Sequence, residues 1–143
     1  MTLEILLAIH KLQAFAPDPA GIGRMLAAAE RNLRDAGIEA LSAENRFDAA
    51  YKTIMQCAML GLWANGYRTS TSQPGHHQTA IQSLSKTTGV LADTVIVLDA
   101  LRKRRNLNDY DGDSVSDALV SECVEQARAL LSHTRQWLGI HHP

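Results

Sequence analysis

The part of the chain whose residue types could do chemistry is Leu101-Arg-Lys-Arg-Arg-Asn-Leu-Asn-Asp-Tyr-Asp-Gly-Asp113. Here a helical apolar pattern from Val90 to Leu98 turns into four consecutive cations, then into acids and a glycine. Helical spacing stacks Arg102, Arg105 and Asp109 on one face, while Lys103 and Arg104 point elsewhere. Two guanidiniums on one face suit an anion, because each planar fork can meet two phosphate oxygens at once. Tyr110 adds a phenol that donates a hydrogen bond or stacks on a base. Asp109 opposes an anionic ligand and so reads as the carboxylate that orients an arginine. The competing reading is a capped, solvated helix end. Arginines in a last turn complement the negative end of the dipole, and Gly112 supplies the freedom at which a helix stops.

The remaining composition excludes more than it adds. At 143 residues the chain reads as one domain spanning 1–143, long enough to bury a core. Its 14 Lys and Arg against 15 Asp and Glu create no global field, so any nucleic-acid binding rests on the local run Arg102 to Arg105. Cys57 and Cys123 sit inside apolar helical patterns and read as reduced core thiols of a cytoplasmic protein. No glycine-rich phosphate loop, zinc-ligand pair or serine-histidine-acid signature is present, and no cofactor is expected. Adjacent side chains on a helix point about 100° apart. His76-His77, at a helix start, are therefore poor joint chelators, and no metal is expected. They read as anion-contacting or packing groups.

These residues need a scaffold, and its elements follow from periodicity. Met1 to Ala16 is broken by His10, Lys11 and Gln13 and carries Glu4, which makes it a short amphipathic helix and not a secretory leader. No apolar run approaches the roughly 20 residues that cross a bilayer, so no membrane partner is expected. Asp18 and Pro19 open a helix running to about Ala36. Ser42 opens the most apolar one, to about Asn65-Gly66, which belongs in the middle of a bundle. In that helix Gly61 and neighbouring alanines permit close packing, and Tyr51 and Trp63 read as core. Glu44, Arg46 and Asp48 in its first turns would line a polar mouth if the bundle brings the basic run beside them. Tyr67 to Gly75 reads as a loop, His76 to Thr88 as a helix, and Val90 onward as the helix carrying the basic run, with no partner strand elsewhere. Ser114 is placed as the cap of a last helix to about Leu138, and His141-His142 as a solvated tail. The sum is an all-α, antiparallel four-helix-type bundle with an additional short N-terminal helix.

Four segments occur in a particular order: Asn45-Arg46-Phe47-Asp48-Ala49-Ala50-Tyr51, Gly66-Tyr67-Arg68, Gly75-His76-His77, and Arg102 to Arg105 with Asn106 leading into Asp109-Tyr110-Asp111. This ordered set resembles the HEPN superfamily of small helical proteins, above all bacterial members with an arginine followed by Asp-Tyr-Asp, and the resemblance covers about 42–138. It implies an up-and-down bundle, commonly homodimeric, with a polar cleft where the third helix ends and the fourth begins. Many such proteins are RNA-cleaving toxins, often paired with a nucleotidyltransferase antitoxin, and others are binding modules. Their nuclease motif is an arginine, usually followed by a polar residue such as asparagine, then a histidine about four to six residues further along. Arg105-Asn106 matches the first half, whereas Tyr110, Asp111 or Gly112 stands where the histidine falls.

That departure has a chemical consequence. RNA cleavage without metal needs a base for the 2′-hydroxyl and an acid for the leaving 5′-oxygen, and tyrosine does not titrate near neutrality as histidine does. His133 is too distant along the chain to substitute. The expected function is therefore a HEPN-like cytoplasmic protein binding RNA, a nucleotide or an acidic partner, without strong nuclease activity. Its cleft is expected to hold Arg102, Arg105, Asp109 and Tyr110, with Lys103, Arg104, His76 and His77 around it. The first alternative is a metal-independent endoribonuclease of a toxin–antitoxin pair, with Arg105, Tyr110 and Asp109 catalytic. The second is a structural bundle whose apolar faces serve assembly.

Overall fold

The computed structural model of the protein describes residues 1–112 and 114–142, the side chains of 109–111 excepted. It is predominantly α-helical. Helix α1 (Leu3–Ala8), capped by the Thr2 hydroxyl, gives way to a short strand, β1 (Leu12–Ala14). The Met1 to Ala16 segment is thus a helix followed by a strand and not one helix, the chain reversing at His10, which adopts a positive φ of 66°. Strand β1 pairs antiparallel with a second strand in the segment read as loop, with Leu12 opposite Thr69, Gln13 opposite Arg68 and Ala14 opposite Tyr67. A three-residue strand leaves too short an alternation to distinguish from loop by pattern.

Helix α2 (Pro19–Ala36) begins where Asp18 accepts from the Gly21 amide, and α3 (Ala43–Ala64) where Ser42 accepts from Asn45. Strand β2 (Tyr67–Thr69) follows. The next helix breaks in two at Ser83, giving α4 (His76–Gln82) and α5 (Leu84–Thr87). Helix α6 (Ala92–Asp111) carries the basic run and ends at Gly112 in the left-handed region, at φ 69°. Helix α7 (Asp117–His141) starts later and runs further than its sequence pattern indicates. Ser116, not Ser114, is its cap, accepting from the Leu119 amide at 3.1 Å.

Helix α3 is the axis of the bundle. The Thr53 hydroxyl donates to the Ala29 carbonyl at 3.0 Å and Arg46 Nε to the Ala36 carbonyl at 2.9 Å, so α2 runs antiparallel to α3. Arg105, late in α6, meets Asp48, early in α3, which makes α6 antiparallel too. Helix α7 runs alongside α3 in the same direction, with Cys123 beside Phe47 and the His142 ring 2.8 Å from the Ala64 carbonyl. The two helices end together, and the histidine tail is exposed as its sequence reads, though each ring has a neighbour. His142 meets that carbonyl, and His141 stacks on Trp137 with ring centres 4.3 Å apart. The core gathers Phe47, Tyr51, Ile54 and Leu62 of α3 with Ala29 of α2, Leu98 of α6 and Val120 and Leu131 of α7, all at 2 % exposure or less. Among the described residues, no helix is long and apolar enough to cross a membrane. Cys57 and Cys123 are buried free thiols, and burial pushes each up to about 12, far from reactive thiolate.

Candidate functional site

The site forms where the start of α3, the start of α4 and the C-terminal half of α6 converge. Tyr51 is 1 % exposed, and its ring belongs to the core. Its buried hydroxyl reaches toward α4 and lies 3.2 Å from His77 Nδ1. On the other side the Arg105 guanidinium sits over the Tyr51 ring, 5.2 Å from its centre, and Arg105 Nε lies 3.6 Å from Asp48 Oδ1. Asp48 is one turn before Tyr51 on α3, so a single helix face presents both the carboxylate and the ring that hold the arginine. Lys52 Nζ approaches the other Asp48 oxygen at 3.3 Å.

A second pair lies one turn back along α6. Arg102 Nε donates to Asp99 Oδ1 at 2.8 Å, with both side chains mostly buried at 13 % and 14 % exposure. Lys103 reaches the other Asp99 oxygen at 3.8 Å and is itself exposed. Arg104 turns away toward the α6–α7 connection, where it donates to the Ser114 carbonyl at 3.3 Å. Of the four cations, the fold thus aims Arg102 and Arg105 into the junction. His76 and His77 face one another edge to face at 4.7 Å. His133 is elsewhere, 2.6 Å from the Thr88 carbonyl. The side chains of Asp109 and Tyr110 lie outside the described residues.

The electrostatics follow from this packing. Burial, foremost, and then the neighbouring His76, Arg105 and Arg102 hold His77 below its usual 6.5, so the ring is neutral at pH 7. Burial pushes the Tyr51 phenol up to about 12 against the opposing pull of Arg105 and Arg102, so it stays protonated. The junction thus gathers a half-buried neutral imidazole, a buried protonated phenol and two guanidiniums, each paired with a carboxylate. Among the described residues no group of three metal-ligating side chains occurs.

Sequence reasoning placed Arg102, Arg105 and His77 among the site residues and Asp48 at a polar mouth, and the fold brings these together. It missed two members. Asp99 was legible as a carboxylate three residues before Arg102, but it sits inside the apolar stretch of α6. Tyr51 carries a core signature at its ring and a site signature only at one oxygen, which no periodicity separates. No family model matches the chain, nor does any curated protein.

Proposed function

We propose that the protein is HEPN-like and binds single-stranded RNA through the Arg102, Arg105 and His77 junction, without strong nuclease activity. The observation that supports this most is Arg105, its guanidinium over the Tyr51 ring and its Nε 3.6 Å from Asp48, its side chain 27 % exposed. An arginine oriented in advance loses little freedom on taking a phosphate. The hydrogen bond between Tyr51 and His77 places the imidazole beside it. Binding of an oligouridylate, measured by fluorescence anisotropy across a salt series, is the test. Arg105→Ala is expected to weaken binding about tenfold or more and to flatten the salt slope by about 0.7. Unchanged affinity and slope in that variant would contradict the reading.

A second reading has an observation of its own. His77 brings into the cluster the imidazole that the order of residues after Arg105 lacks, and a neutral imidazole is competent to accept a 2′-hydroxyl proton. In a metal-independent endoribonuclease, His77 would move that proton while Arg105 stabilises charge developing on the phosphate. Cleavage in EDTA that His77→Ala abolishes would establish this reading over the first.

The proposal includes a cytoplasmic homodimer. Ile96, Ala100, Lys103 and Leu107 recur along one stripe of α6, with Ile96 67 % and Leu107 43 % exposed, and Asp93 stands at its edge. Two copies of α6 crossing antiparallel about Leu98 would set each Asp93 against the other copy's Lys103 and close the apolar stripe on itself.

A further inference from the structure

A second polar and apolar constellation lies at the far end of α3, away from the arginine junction. Met59, Leu62 and Trp63 of α3 and Phe15, just after β1, line a cavity of about 210 Å³, with Arg68 of β2 at its rim. Phe15 and Trp63 lean together with ring centres 5.2 Å apart and planes at 51°. The Arg68 guanidinium lies over the Phe15 ring, 5.1 Å from its centre, and its Nε donates to Gln13 Oε1 at 3.1 Å. The β1–β2 register sets that bond, because Gln13 and Arg68 are direct partners across the ribbon. Arg68 is thereby held at two points. Among the described residues it meets no carboxylate, and its terminal amino groups form no hydrogen bond.

An apolar, aromatic-walled cavity with one fixed cation at its mouth has a definite complement. Its floor favours a flat hydrocarbon body, and its rim favours a single anionic group that two guanidinium N–H groups can grip together. A cavity of about 210 Å³ is too small for a polymer segment and suits a body the size of one aromatic ring. We propose that this cavity binds a small aromatic monocarboxylate, its ring against Trp63 and Met59 and its carboxylate on Arg68. The site is independent of the RNA reading, since it shares no residue with the Arg105 junction.

Trp63 is a built-in reporter, and Trp137 on α7 is the background to remove. The experiment titrates phenylacetate, phenylacetamide and phenethylamine into Trp137→Phe protein while tryptophan fluorescence is followed, and repeats the series with Arg68→Gln added. Saturable change is expected with phenylacetate, at least about tenfold weaker binding with the amide, and none with the amine. Arg68→Gln is expected to bring phenylacetate down to the affinity of the amide. Circular dichroism identical to the parent's shows that Arg68→Gln is folded, and Arg68→Lys, which keeps the charge without the fork, is expected to restore part of the binding. Equal binding of acid and amide, phenylacetate binding unaltered by Arg68→Gln, or no saturable response to phenylacetate would each overturn the proposal.

Discussion

At the scale of single residues, one oxygen atom decides how the junction behaves. The Tyr51 hydroxyl joins a core ring to the half-buried His77, so Tyr51→Phe removes the link while keeping the surface on which Arg105 rests. That variant is expected to lose about 1 kcal/mol of stability by urea unfolding and to retain most RNA affinity, in contrast to Arg105→Ala. On the proposed reading, the neutral state of His77 makes RNA binding and stability depend on pH in opposite senses. The unfolded ring titrates near 6.5 and the folded one lower, so the unfolded chain takes up more protons as the pH drops through that window. The stabilisation that comes from keeping His77 neutral is therefore present above about pH 6.5 and is lost on acidification toward the folded value. A bound phosphate would offset the neighbouring cations and raise the folded value again. RNA affinity should then increase as pH falls below about 6.5, by up to roughly tenfold per pH unit, with proton uptake visible by calorimetry in buffers of different ionisation enthalpy. His77→Asn should abolish the uptake.

At the scale of elements, the site depends on how closely α5 and α4 are drawn onto α3. A β-carbon built at Gly61 would lie 2.6 Å from the Thr87 hydroxyl, and the Asn65 amide bridges the carbonyls of Gly61 and Thr87 at 2.8 and 3.2 Å. Gly61→Ala is expected to cost about 1–3 kcal/mol in urea unfolding, because both partners are packed and neither can yield freely. The long helices were legible because their caps and periodicities agree: Asp18 with Pro19, Ser42, and Gly112 all fall where the chain signals them. The β1–β2 ribbon was not, since three-residue strands gain their hydrogen bonds from a partner more than fifty residues away and little from local preference. The start of α7 was misplaced by two residues because Ser114 and Ser116 are equally good caps locally, and the helix takes the later one. For the junction, charge was visible and depth was not. Helical spacing already set Arg102 and Arg105 apart from Lys103 and Arg104, but only the crossing of α6 over α3 supplies Asp48 and the Tyr51 ring that hold Arg105.

At the scale of the whole molecule, a near-neutral chain concentrates its function in how charges are paired and not in how many there are. The proposed dimer through the apolar stripe of α6 extends this to assembly. Ile96→Glu is expected to convert a dimer into a monomer by light scattering without lowering the unfolding midpoint of the monomer, since a residue 67 % exposed contributes little to the core. The most direct test of the central claim, that the junction of α3, α4 and α6 receives RNA, is a side-chain nitrogen NMR titration of the protein with oligouridylate. The His77 ring and Arg105 Nε signals should move together and saturate at one ligand concentration, while His10 and His133 stay still. Saturable binding that leaves His77 and Arg105 unshifted would contradict it.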